Sequence, residues 1–165
     1  PDTAAWRWGL RLRSYGYAGQ ERRVENGRPG ADAEGFSYQW NSDLREFYVN
    51  SAGLEHGYTI SRRSGEGASL RLHLEVLGTL QPQIRQDGAA VAFNDAGGNA
   101  VILYGSLKVT DADGKRLPAR FAGEGRAQFR LEIDDEGARY PLMVAGILRH
   151  RSLRLAAELA RTVVR

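Results

Sequence analysis

From Trp6 to Arg13 the chain alternates without a break: Trp6, Trp8, Leu10 and Leu12 are apolar, whereas Arg7, Gly9, Arg11 and Arg13 are polar or glycine. Successive side chains of a strand point to opposite faces, so this spacing predicts a strand with one buried face and one wet face. The same period runs through 36–41, 70–76 and 127–133, and shorter stretches at 46–50, 54–62, 90–94, 101–110, 117–121 and 139–144 fit it. Clusters of Asp, Asn and Gly separate these runs, including Gly65-Glu66-Gly67, Asp87-Gly88, Asp111-Ala112-Asp113-Gly114, Gly123-Glu124-Gly125 and Asp134-Asp135-Glu136-Gly137. Such residues supply or tolerate the positive φ of tight hairpin turns. Eight or more short strands joined in this way predict an antiparallel β-sandwich, jelly-roll or Ig-like, over residues 1–144. The stretch 19–35, with Pro29 and four glycines, reads as a surface loop.

The period changes after Val144. Leu148, Leu155, Leu159 and Val163, with Ala156 and Ala160, follow three- and four-residue spacing and predict one amphipathic α-helix over 147–164, within a basic segment 145–165. Arg151, Arg154 and Arg161 occupy its other side. The tail holds five arginines and one glutamate, a net +4, so with the whole chain at +3 the remaining 144 residues carry −1. The body therefore exerts no overall attraction on nucleic acid or an anionic membrane, and both are disfavoured as partners. The apolar stripe points instead to self-association or a protein partner. Its interaction residues are Leu148, Leu155, Leu159 and Val163 with Arg151, Arg154 and Arg161.

Several blocks taken in order resemble a family. Trp6-Arg7-Trp8-Gly9-Leu10, then Phe47-Tyr48-Val49-Asn50 with Gly53-Leu54-Glu55-His56-Gly57-Tyr58-Thr59-Ile60, come first. Gly78-Thr79-Leu80-Gln81-Pro82 follows, then Tyr104-Gly105-Ser106-Leu107 with Asp111-Ala112-Asp113-Gly114 and Leu117-Pro118-Ala119, and finally the stretch from Asp134 to Leu142 containing Tyr140-Pro141-Leu142. Over about residues 6–144 this is similar to the amino-terminal domain of exported bacterial proteins with FG-GAP (integrin α-like) or related β-propeller repeats. The resemblance implies a secreted or cell-surface bacterial β domain with an interaction or adhesion role, and no catalytic residues carry over. In that family the Tyr-Pro-Leu block leads to Val-Asp-Pro and the first repeat, whereas Val144 here is followed by Ala145-Gly146. The chain begins at Pro1 without a leader, and either processing or trimming accounts for that start.

Chemistry is sparse. The chain has no Cys, which removes thiolate nucleophiles and cysteine metal sites, and its three histidines, His56, His73 and His150, have no metal-binding spacing. No nucleophile elbow, SxxK pair or phosphate loop occurs, so no cofactor and no enzymatic activity is expected. Asp111 and Asp113, with Asp134 and Asp135, are weak calcium candidates, because alternating carboxylates beside glycine suit oxygen coordination but the distal bidentate Glu is absent. His73 reads as a solvated imidazole on a polar face, and His56 as structural. Among the aromatics of the first third, Trp6, Trp8, Tyr38, Trp40 and Phe47 are expected in the core. Tyr15, Tyr17 and Tyr48 are expected near the surface. The leading expectation is a non-enzymatic interaction module; a carbohydrate-binding or carbohydrate-processing domain is the alternative. An exposed coplanar strip of rings would favour sugar, and an apolar patch rimmed by arginine would favour protein.

Overall fold

A computed structural model describes residues 6–51 and 53–150. Among them are thirteen strands in two antiparallel sheets, one short 3-10 turn and no α-helix. The strands are β1 Trp8–Gly16, β2 Arg22–Arg23, β3 Arg28–Ala31, β4 Gly35–Gln39, β5 Leu44–Asn50, β6 Leu54–Ile60 and β7 Leu70–Gly78. They continue as β8 Gln81–Arg85, β9 Ala90–Asn94, β10 Ala100–Thr110, β11 Ala119–Gly125, β12 Gln128–Ile133 and β13 Leu142–His150. The smaller sheet has the order β11-β12-β7-β1-β2 and the larger β3-β4-β5-β6-β13-β10-β9-β8, a two-layered, sandwich-like arrangement.

Alternation sets the layers. In β7, Leu70, Leu72, Leu74 and Val76 are buried and Arg71, His73 and Glu75 are half-buried on the other face. Trp8, Leu10, Phe129 and Leu131 are buried as their parity requires. Of the expected outward charges, Arg11 is exposed, but Arg71, Arg130 and Glu132 shield one another. Glu132 accepts from Arg130 at 2.6 Å and from Arg120 at 3.1 Å.

Three expectations need correction. Tyr15, Tyr17 and Tyr48 are all buried, not superficial. A β-bulge between Leu12 and Ser14 inserts Arg13 into β1 and reverses its parity, which turns Tyr15 inward. Tyr48 stands opposite Phe36 and His56 on the inner face, while its neighbour Phe47 is covered too, because its ring fills the space above Gly57 on the outer face. The second correction concerns 147–150, which are strand and not helix. β13 runs on to His150 between β6 and β10, and Leu148 lies in the core opposite Leu54 and Tyr104. The sheet thus does not close at Val144. Leu155, Leu159, Val163, Arg151, Arg154 and Arg161 lie outside the described residues. The third is that 19–35 contains strands β2 and β3. With β8, which the turn-to-turn spacing also missed, β3 forms an edge of the larger sheet, and each edge carries a proline, Pro29 or Pro82. A missing N–H is tolerated at an edge.

The long sides of the assembly differ. On one, β11 lies against β8 and the 3-10 turn Gln86–Gly88. On the other, β1 and β2 have no comparable abutment with β3, β4 or β5. The chain bridges that second side once, through 24–27.

Candidate binding groove

The open side follows from the shortness of β2. β1 pairs with β7 from Trp8 to Gly16, but with β2 only at Ser14 and Tyr15. The Val76 N–H donates to the Ala127 carbonyl, away from β1. Val76 and its partner Leu10 are therefore a non-hydrogen-bonded pair, and by alternation the backbone N–H and C=O groups of Trp8, Leu10 and Leu12 face away from β7, on residues that are nonetheless buried. No described strand pairs with them.

A groove of about 390 Å³ lies at the Leu12 end of β1. One wall is Arg11, Leu12 and Arg13 of β1, continued by Arg23 and Val24; the other is Tyr38 of β4 and Trp40 just beyond it. Tyr38 and Trp40 share the inner face of the larger sheet because they are two residues apart. Their rings stack at 5.5 Å with 27° between planes. A Cβ on Gly27 would come within 2.8 Å of the Trp40 ring, so only glycine lets the bridging segment lie this close. The two half-buried rings are thus stacked, not coplanar.

The groove is electropositive. Arg11 and Arg13 share a single carboxylate, Glu75, at 3.6 and 3.1 Å. Arg23 is exposed and forms no ion pair among the described residues. Glu25 is the acidic residue in the lining.

Behind Trp40 lies a polar network that the sequence reading did not assemble. The Trp40 indole N–H donates to Glu46 Oε1 at 3.1 Å, and Glu46 Oε2 accepts from His56 Nε2 at 2.6 Å and from the Tyr58 hydroxyl at 3.1 Å. His56 Nδ1 meets the Tyr104 hydroxyl at 2.7 Å. Burial, reinforced by the Glu46 charge, pushes the Tyr48, Tyr58 and Tyr104 hydroxyls well above the usual phenol range. The order Tyr104–His56–Glu46 has the donors and acceptors of a proton relay. However, His56 has no exposed surface and Tyr104 only 1%, so the network is sealed from solvent and fixes the core beneath the groove. His56 is thus fully buried with both ring nitrogens hydrogen-bonded. The signal for Glu46 was its position, a carboxylate at the inward parity of Leu44 and Tyr48.

His73 lies on the outer face of the smaller sheet as its parity predicts, but it is not simply solvated. Its Nδ1 is 2.5 Å from Glu124 and its Nε2 is 3.5 Å from Glu21.

Each of the carboxylates considered for calcium has at least one oxygen engaged by a protein donor. Asp111 Oδ1 accepts from the N–H groups of Asp113 and Lys115, and Oδ2 from that of Arg139. These hydrogen bonds, the Arg139 one foremost, hold the Asp111 carboxyl below its ordinary range against the opposing effect of desolvation. Asp113 pairs with the Arg139 guanidinium at 3.0 Å, and Asp134 Oδ1 accepts from the Glu136 N–H. Asp135 is fully buried and accepts from the hydroxyls of Tyr17 and Tyr140 and from Arg63. The turns at 111–114 and 134–137 do meet at one end of the molecule, through Arg139. Among the described residues no three His, Asp or Glu side chains are grouped to hold a metal ion. No known protein family, curated protein or solved structure matches the chain.

Proposed function

We propose that this chain is a non-enzymatic interaction module of an exported or cell-surface bacterial protein, and that its ligand site is the groove on the open side. The observation that supports it most is the groove beside Leu12, lined by Arg11, Arg13 and Arg23 on one wall and by Tyr38 and Trp40 on the other. The groove sets arginines on one wall against two stacked rings on the other. The resemblance over about 6–144 to the amino-terminal domain of FG-GAP and β-propeller repeat proteins supports the cellular setting.

The alternative, a carbohydrate-binding domain, draws on Tyr38 and Trp40. Sugar rings stack on free aromatic faces, whereas these rings stack on each other and Gly27 covers Trp40. The arrangement therefore supports the interaction module over the sugar reading.

The test is to probe peptide and glycan arrays with the chain and with an Arg23→Glu, Trp40→Ala double variant that retains its circular dichroism spectrum. Binding that the double variant loses is expected. Equal binding by both, or none by the wild type, would overturn the assignment of the groove.

A further inference from the structure

From this groove, and resting on its assignment as the binding site, we infer that the ligand is a short acidic segment of a partner protein, in which a carboxylate side chain stands beside a bulky apolar one. The carboxylate meets the arginines, and the apolar side chain meets Val24 and the rings of Tyr38 and Trp40.

The charge of the groove is not balanced from within. Arg11, Arg13 and Arg23 line it together with a single carboxylate, Glu25. Glu75 of β7 serves both Arg11 and Arg13, at 3.6 and 3.1 Å, and Arg23 forms no ion pair among the described residues. Three guanidinium groups are thus set against two carboxylates, and one positive charge is left over. The side chains of Arg11 and Arg13 remain 55% and 43% exposed, so a ligand can reach them. A guanidinium carries five N–H donors in a fixed fork that matches a carboxylate, and the contacts with Glu75 leave most of those donors unused.

The rest of the lining calls for a different chemistry. The Trp40 indole N–H is already given to Glu46 Oε1 at 3.1 Å, so the ring offers carbon surface to the groove, and Val24 adds its methyl groups. Val24, Tyr38 and Trp40 are all half-buried, and an aliphatic side chain laid against them removes apolar surface from water on both partners.

Size and charge then narrow the source. At about 390 Å³ the groove is near the lower end of ligand clefts, which span about 300–1,000 Å³, so it takes a few side chains and not a folded surface. A polyanion is held by many cations along its length, whereas Glu25 and Glu75 leave one in excess here. A second copy of this chain lacks the required pair: among the described residues its exposed large apolar side chains are Leu77 and Met143, and neither has an acidic neighbour in sequence.

The experiment titrates the full 165-residue chain with fluorescent peptides of about nine residues, followed by anisotropy. The first repeats Glu-Leu-Ser, the second Gln-Leu-Ser and the third Glu-Ser-Ser. Loss of the charge and loss of the leucine are each expected to weaken binding at least about tenfold, since a hydrogen bond to a charged group and a buried leucine are each worth that factor or more. Binding of the first peptide falls with added salt. Arg23→Glu, an exposed position on β2, weakens it by a similar factor and takes up a Lys-Leu-Ser repeat instead. Equal binding of the Glu and Gln peptides, lost in the Arg23→Glu, Trp40→Ala double variant, overturns the acidic ligand but leaves the groove assignment standing. Binding of a heparin oligosaccharide, lost in Arg23→Glu, with no binding of the peptides overturns the protein partner and keeps the groove. Self-association in light scattering that Arg23→Glu disperses makes the occupant a second copy, with the same consequence. Glu-Leu-Ser binding unchanged in Arg23→Glu, or no response to any probe with the array screen also negative, overturns both.

Discussion

The two long sides of the molecule solve the problem of sheet edges in opposite ways. On the closed side, β11 lies against β8, the Phe121 ring is 5.1 Å from that of Tyr104 and 6.0 Å from that of Phe129, and Gly88 fits against the Phe121 backbone. Gly88 has a φ of +99° and a Cβ there would meet the Phe121 carbonyl oxygen at 2.7 Å, so both conformation and space require glycine. On the open side β2 covers two residues of β1 and then leaves the sheet. The contrast teaches that the sides are built differently: apolar packing joins the sheets at one, and a groove lined by arginines and two aromatic rings remains at the other.

The largest effect expected is that of shortening β13. A chain ending at Val144 loses the half of this strand that pairs with Glu55, Leu54 and the first half of β10, in the middle of the larger sheet. We expect it to be unfolded by circular dichroism, whereas a chain ending at His150 keeps every described strand and folds. A cooperative transition in the 144-residue chain would show that Leu148 is dispensable to the core.

Substitutions on the two sides come next. Phe121→Ala on the closed side removes a fully buried ring and should cost about 3–5 kcal/mol in urea unfolding. Val24→Ala in the half-buried bridge of the open side should cost about 1 kcal/mol or less, since it removes two partly exposed methyl groups. Similar costs at both positions would mean that the open side is as tightly packed as the closed one.

How far such differences could be read from the residues depends on what each strand answers to. β7 and β12 pack by alternation alone, and their inward sets were legible residue by residue. β1 was legible only up to Arg13, because a bulge is an insertion that hydrophobic period does not announce, and Tyr15 and Tyr17 were misplaced by it. Leu148 satisfies both a period of two and a period of 3.6, so the leucines and arginines that follow it in sequence make the end of β13 resemble the start of a helix. The edge strands β3 and β8 contain Pro29 and Pro82, which local reasoning treats as breakers. Tyr38 and Trp40 of the groove were visible as an alternating pair. Arg23 was not, because its place in the groove depends on where β2 stops in space.

Alkaline pH should act at the end of β1 that leads into β2. Burial, and secondly the hydrogen bond to Asp135, raise the Tyr17 hydroxyl to about 12. In the unfolded chain a tyrosine ionises near its ordinary value of about 10. Above that pH the unfolded state has lost a proton that the folded state keeps, so the stability from this group is fully present below pH ~10 and is lost as pH rises toward about 12. Thermal unfolding across this window should show a falling Tm, and Tyr17→Phe should reduce the slope. An unchanged slope would assign the alkaline loss to the other buried tyrosines.

Calcium should have the smallest effect of all. A cation that binds only the folded state raises Tm by mass action, and at ~1 mM Ca²⁺ a calcium module of ordinary extracellular affinity is substantially occupied. The shared end of the turns 111–114 and 134–137 has the carboxylates for this, but protein donors already engage each of them, although Asp135 Oδ1 accepts no hydrogen bond among the described residues. Both oxygens of Asp111 accept backbone N–H groups, Asp113 holds Arg139, and Asp135 is enclosed by Tyr17, Tyr140 and Arg63. To bind there the ion would have to displace those donors and unfold two turns. We therefore expect Tm to be unchanged by ~1 mM Ca²⁺, a level that occupies known extracellular modules. A rise that Asp113→Asn abolishes would show instead that Arg139 gives way to the metal, and the acidic end would then join the basic groove as a second site.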